Sequence, residues 1–198
     1  MKRLLFALLA AAVWISPADA GTFNRDDTAT LEQVSAYLNG IKTMEGGFVQ
    51  IGPDGGVATG KFYISKPGKM RFDYDPPAPT LVIANGLSIV VYNTKLNTAD
   101  RYPLSATPLN LILSDDVSLV RSSYVTGVER QPGSLIVKAK SSDNSMSGSI
   151  TIVFADPALE LRQWTVVDAQ GLATTVSLRN VQTGMDIPNS TFGVKDSP

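Results

Sequence analysis

The feature that most restricts the fold is a period of two that sets in near Met44 and returns through the rest of the chain. In Lys69-Met70-Arg71-Phe72-Asp73-Tyr74-Asp75 the alternation is strict. Extended backbone therefore puts Met70, Phe72 and Tyr74 on one side and Arg71, Asp73 and Asp75 on the other. The same reading applies around Phe48, and to GKFYIS at 60–65, where Phe62 and Ile64 share a face. It extends to TLVIANG (80–86), LSIVVYN (87–93), SLIVKAK (134–140), GSITIVFAD (148–156), LRQWTVVDA (161–169) and LATTVSLRNV (172–181). Turn chemistry punctuates these runs: Pro76, Pro77 and Pro79, then Asn85-Gly86, Asp143-Asn144, Asp156-Pro157 and Gln170-Gly171. Asn85-Gly86 between two apolar runs is a strong hairpin signal, with both residues expected at positive φ.

Two segments break the period. Between Asp27 and Lys42, Leu31, Val34, Leu38 and Ile41 recur at steps of three and four with Tyr37 beside them, which predicts an amphipathic helix capped by Asp27 or Thr28. Thr107-Pro108 opens a second helix to about Asp115, capped by Thr107, with Leu109, Ile112 and Leu113 as its apolar face. About eleven antiparallel strands with one helix before them and one in the middle predict a mainly β chain of the α+β class. The expected architecture is a strongly curved antiparallel sheet or unclosed β-barrel carrying helices on one side.

Residues 1–20, MKRLLFALLAAAVWISPADA, combine a basic start, an apolar run and a small-residue A-x-A site, which predicts a cleaved secretory signal peptide. Residues 21–198 then suit one domain. No later run reaches the ~18 apolar residues of a spanning helix, so the expected location is a soluble compartment beyond the inner membrane. Cysteine is absent, leaving stability to burial. Histidine is absent too, which removes the usual base near neutral pH, the commonest zinc ligand and any Ser-His-Asp pairing. The expectation is a protein that is not an enzyme and needs no cofactor or metal. A net charge of −1 argues against nucleic acid, although Phe62, Phe72, Tyr74 and Trp164 stand near basic residues.

The remaining motifs have plain readings. Gly55–Lys61, GGVATGK, matches the G-x-x-x-x-G-K spacing, but Phe62 stands where a magnesium-binding hydroxyl belongs and a strand follows instead of a helix, so a glycine-rich hairpin is expected. Asp26-Asp27, Asp115-Asp116 and Asp73 with Asp75 fit no calcium-loop spacing. Ser147-Gly148-Ser149 lacks the nucleophile-elbow frame.

Lys66 to Asn93, KPGKMRFDYDPPAPTLVIANGLSIVVYN, resembles the signature stretch of the periplasmic outer-membrane lipoprotein carrier family, LolA-like proteins. The resemblance extends to the first helix, to Thr107-Pro108-Leu109, and to Ile187-Pro188 followed by Phe192. It implies an eleven-stranded unclosed barrel whose helices form a lid over a hydrophobic cavity for lipoprotein acyl chains. The implied partners are acylated lipoproteins and an inner-membrane ATP-driven transporter that releases them, with or without a separate outer-membrane receptor. The carrier itself is expected as a periplasmic monomer.

On that reading the cavity wall is expected from Phe48, Phe62, Ile64, Met70, Phe72, Tyr74, Leu81, Ile83, Ile89, Val91, Ile152, Phe154, Trp164 and Val166. The lid is expected from Leu31, Val34, Leu38, Leu109, Ile112 and Leu113. Alternation fixes a face without saying whether the space behind it is filled, so ordinary core packing stands beside the cavity reading. The family carries Arg before the proline as a latch onto helix carbonyls. Here the residue is Lys66, which lacks the planar five-donor fork, so the implied latch is weaker or differently built. A periplasmic sensor or regulator that binds lipid or lipoprotein is the alternative on the same fold; a hydrolase would need a polar cluster among these apolar positions.

Overall fold

The computed structural model describes residues 23–140 and 148–194. The expected signal peptide and the Asp143-Asn144 turn lie outside the described residues. Helix α1 (Arg25–Gly40) leads into strands β1 (Thr43–Ile51), β2 (Val57–Ser65), β3 (Lys69–Tyr74), β4 (Thr80–Asn85), β5 (Ser88–Asn93) and β6 (Thr98–Pro103). A four-residue helix α2 (Asn110–Leu113) precedes β7 (Val125–Gln131), β8 (Ser134–Lys140), β9 (Ser149–Ala155), β10 (Leu161–Val167) and β11 (Ala173–Thr183). Short 3-10 turns cover Leu104–Ala106 and Asn189–Phe192.

All eleven strands form one antiparallel sheet in the order β6-β5-β4-β3-β2-β1-β11-β10-β9-β8-β7. Two meanders, β1 to β6 and β7 to β11, are thus joined by the pairing of β1 with β11, and the sheet stays unclosed, with β6 and β7 as its edges. Two inward glycines let aromatic rings lie against the backbone. Gly60 is opposite Phe48 and Gly46 opposite Phe62. A Cβ at Gly60 would collide with the Asp73 carbonyl oxygen and lie 2.7 Å from Phe48 Cε1, and one at Gly46 would lie 2.9 Å from Phe62 Cε1.

The α1 stripe is as expected, with Leu31, Val34 and Leu38 buried, but the cap is Asn24, whose Oδ1 accepts from Asp27 N at 2.8 Å. Asp26 and Asp27 then sit in the first turn, where negative charge favours the helix dipole. The second helix is shorter than expected, and Thr107 does not cap it: its hydroxyl donates backward to Leu104 O at 2.9 Å. The β4–β5 hairpin forms, yet its central residues are Gly86 and Leu87. Gly86 alone has positive φ (98°), while Asn85 ends β4 and its Oδ1 accepts from Leu87 N and Ser88 N. Glycine at the first central position is the requirement of a II′ turn, not of the I′ turn that Asn-Gly predicts.

Candidate functional site

The inner face of the sheet and the buried side of the helices form one apolar cluster. Strand register explains the wall. Phe62 is opposite Phe72 and Ile64 opposite Met70, so alternate residues of β2 and β3 point the same way. Phe72 sits among aromatic neighbours, with ring centroids 4.8 Å from Phe48, 5.7 Å from Phe62 and 6.1 Å from Trp164. Tyr74 approaches Phe48 at 5.0 Å, and its hydroxyl donates to Gln50 Oε1 at 2.6 Å. Burial pushes the Tyr74 phenol up to about 12 despite that bond, so it stays neutral over the physiological range. Ile89, Ile152 and Phe154 are in the cluster, and Val91 and Val166 pack against it half-buried.

Leu81 and Ile83 do not belong to this wall. Pairing places Leu81 opposite Asp73 and Ile83 opposite Arg71, on the outer face, while Val82 and Ala84 face inward opposite Phe72 and Met70. The uninterrupted apolar run Leu81-Val82-Ile83-Ala84 offers no alternation by which sequence could choose a face. The Asn189–Phe192 turn packs over this outer side. Lys69 Nζ donates to Asn189 Oδ1 at 2.8 Å, and Arg71, paired with Asp73, donates to Thr191 O at 3.1 Å. Leu81, Ile83, Arg71, Tyr92 and Gly193 line a groove of about 460 Å³ there.

Sequence reasoning also missed wall residues. Met44, Leu135, Val137, Ile150, Leu161, Val176 and Leu178 are buried in the same cluster. Leu135, Val137, Ile150, Val176 and Leu178 were available from the alternation of SLIVKAK, GSITIVFAD and LATTVSLRNV, whereas the meeting of Leu178 with Phe48 follows only from the β1–β11 pairing.

Above the wall, Leu31, Val34, Leu38, Ile112 and Leu113 are buried and Leu109 packs half-buried against them; Leu104, Val117 and Leu119 join them. These side chains fill the interior. The gap left between Leu38, Ile41, Met44, Ile64, Lys66, Ile112 and Leu161 is about 10 Å³, at the lower limit for one water. With the helices in this position their apolar side chains occupy the space beside the wall.

Few polar contacts hold helices to sheet. Lys66 Nζ donates to Leu38 O in the last turn of α1 at 2.9 Å. The Tyr37 hydroxyl accepts from Leu161 N at 2.9 Å, and Gly68 N donates to Leu113 O at 2.8 Å. Burial, and then the Lys42 ammonium, push Lys66 down to about 8, with Asp115 pulling the other way. Among the described residues no group of three or more acidic side chains could hold a metal, and no buried side-chain nitrogen or oxygen lacks a partner. No described helix is long and apolar enough to cross a membrane.

The sequence model of the family described as "Outer membrane lipoprotein carrier protein LolA" matches residues 39–195. Proteins named outer-membrane lipoprotein carrier protein are similar over nearly the whole chain. The one from Pseudomonas putida is 23% identical, covering 96% of this chain and 93% of its own, and the one from Chromobacterium violaceum is 26% identical, covering 97% and 93%. Among solved structures, a DUF1329 family protein from Desulfovibrio piger aligns with TM-score 0.51 at 11% identity, over 84% of this chain and 97% of its own. That likeness concerns the fold alone. With its unclosed eleven-stranded sheet, its helix-covered apolar face and the family match over most of its length, the chain belongs to the outer-membrane lipoprotein carrier family.

Proposed function

We propose that this protein carries lipoproteins across the periplasm by holding their acyl chains between the sheet and its helices. It receives them from an inner-membrane ATP-driven transporter and gives them up toward the outer membrane, directly or through a receptor there. The observation that carries this reading is that one apolar cluster joins the inner face of the sheet to two helices that, among the described residues, few polar contacts tether to it.

The energetics suit a transient hold. Burial of acyl chain contributes about 0.8 kcal/mol per methylene, so one long chain supplies on the order of 10 kcal/mol. In the closed state Leu31, Val34, Leu38, Ile112 and Leu113 already occupy the interior. An incoming chain must displace them, and the cost of exposing them offsets part of the gain. Affinity is thereby set by the difference between two apolar occupants, which permits release. Lys66 is the lid latch in this scheme, and no residue has a catalytic role.

Native mass spectrometry with a triacylated lipoprotein, and with the same protein lacking its acyl chains, tests the reading. It predicts a one-to-one complex with the acylated form alone. Equal binding to both forms, or none, would leave the apolar face as ordinary core and favour a sensor or another binding role.

A further inference from the structure

Two side chains of α1, one turn apart, bind the irregular segment that follows α2. Asn39 does so in both directions: its Nδ2 donates to Val117 O at 2.9 Å and its Oδ1 accepts from Val117 N at 2.8 Å. Ser35 Oγ accepts from Leu119 N at 3.0 Å while donating to Leu31 O at 2.6 Å. The spacings match. Four helical residues advance about 6.0 Å and two extended residues about 6.6 Å, so positions 35 and 39 can meet 119 and 117 in antiparallel order. Val117 and Leu119 are buried at 5% and 0% exposure, so the bound segment adds two apolar side chains to the interior beside those of α1. Ser35 is itself only 9% exposed, where an unpaired backbone N–H would be costly.

We propose that Ser35 and Asn39 are positioning residues that couple α1 to the α2–Leu119 segment, so that the lid leaves the sheet as one body and not as two independent flaps. Release of either part alone would break the three bonds between them in addition to that part's own tether. Joint release keeps those three bonds and, among the described residues, breaks the tethers at Lys66, Tyr37 and Gly68. The idea builds on the carrier reading only in treating these helices as a lid. Its test uses no ligand, so its failure is distinguishable from a failure of acyl binding.

Hydrogen exchange followed by NMR on the full, ligand-free chain reads each contact through its own amide. Leu161 N–H reports the α1 tether, Gly68 N–H the α2 tether, and Val117 and Leu119 N–H the coupling. Coupled opening gives Leu161 and Gly68 protection factors within about threefold of each other, with Val117 and Leu119 at least about tenfold more protected. In Ser35→Ala/Asn39→Ala, Leu161 and Gly68 separate by more than about tenfold. The proposal is overturned if, in the parent chain, Val117 and Leu119 exchange as fast as the two tether amides, or if those two already differ more than about tenfold. These parent-chain criteria decide the matter even where the double variant does not fold.

Discussion

Phe72 and Leu81 are both apolar residues of neighbouring strands, yet one touches Phe48, Phe62 and Trp164 while the other borders the outer groove with Arg71. The same substitution therefore has different consequences at the two sites. Phe72→Gln removes a buried ring and leaves an amide in apolar surroundings, an expected loss of about 3–5 kcal/mol of stability, with acyl affinity reduced at least about tenfold. Leu81→Gln costs less than about 1 kcal/mol and leaves affinity within about twofold. Urea unfolding and titration with a fluorescent fatty acid measure both; equal loss of affinity in the two variants would place the ligand elsewhere. Residues in strict alternation, such as Met70, Phe72 and Tyr74, could be assigned a face from sequence because the solvent side carries Arg71, Asp73 and Asp75. Leu81 and Ile83 could not, since their outer side is also covered, by the Asn189–Phe192 turn.

At the scale of elements, the tether from Lys66, the residue after β2, to α1 carries an amine whose titration is moved toward neutrality. Lys66 has a folded value of about 8 against an ordinary 10.5, chiefly through burial. The folded chain therefore binds fewer protons than the unfolded chain between those values, so stability rises with pH across that window and is lost as pH falls through 8. Relative to Lys66→Met, which does not titrate there, the parent's urea midpoint should gain as pH goes from about 7 to about 10. A constant difference between the two would deny the shift.

Elements with a buried face and a clear period were legible. Helix α1 shows four apolar residues at helical steps, and β3 alternates without exception. The edge strands were not: β6, Thr98–Pro103, is exposed along its whole length, and β7 buries only Val125, with Val128 half-buried and Glu129, Arg130 and Gln131 exposed, which is too little to leave a pattern. Helix α2 was overread because its apolar residues are held by tertiary contacts, and four residues are too few to form a helix unaided.

For the whole molecule, strand number and curvature followed from the run of short alternating segments, but the joining of the two meanders through β1 and β11 has no local signal. It depends on Phe48 meeting Leu178 and Gln50 meeting Val176, far apart in sequence. Nor could alternation reveal that side chains of the two helices occupy the space against the inner face. The central claim is that acyl chains replace those side chains against the inner face. Trp164 offers a direct reporter: it is 3% exposed, touches Phe72, and is the only tryptophan from Gly21 onward. The deciding measurement is its fluorescence on binding a lipoprotein with brominated acyl chains, compared with the unbrominated form. Quenching by the brominated form alone is the predicted result; stoichiometric binding without quenching would contradict the claim.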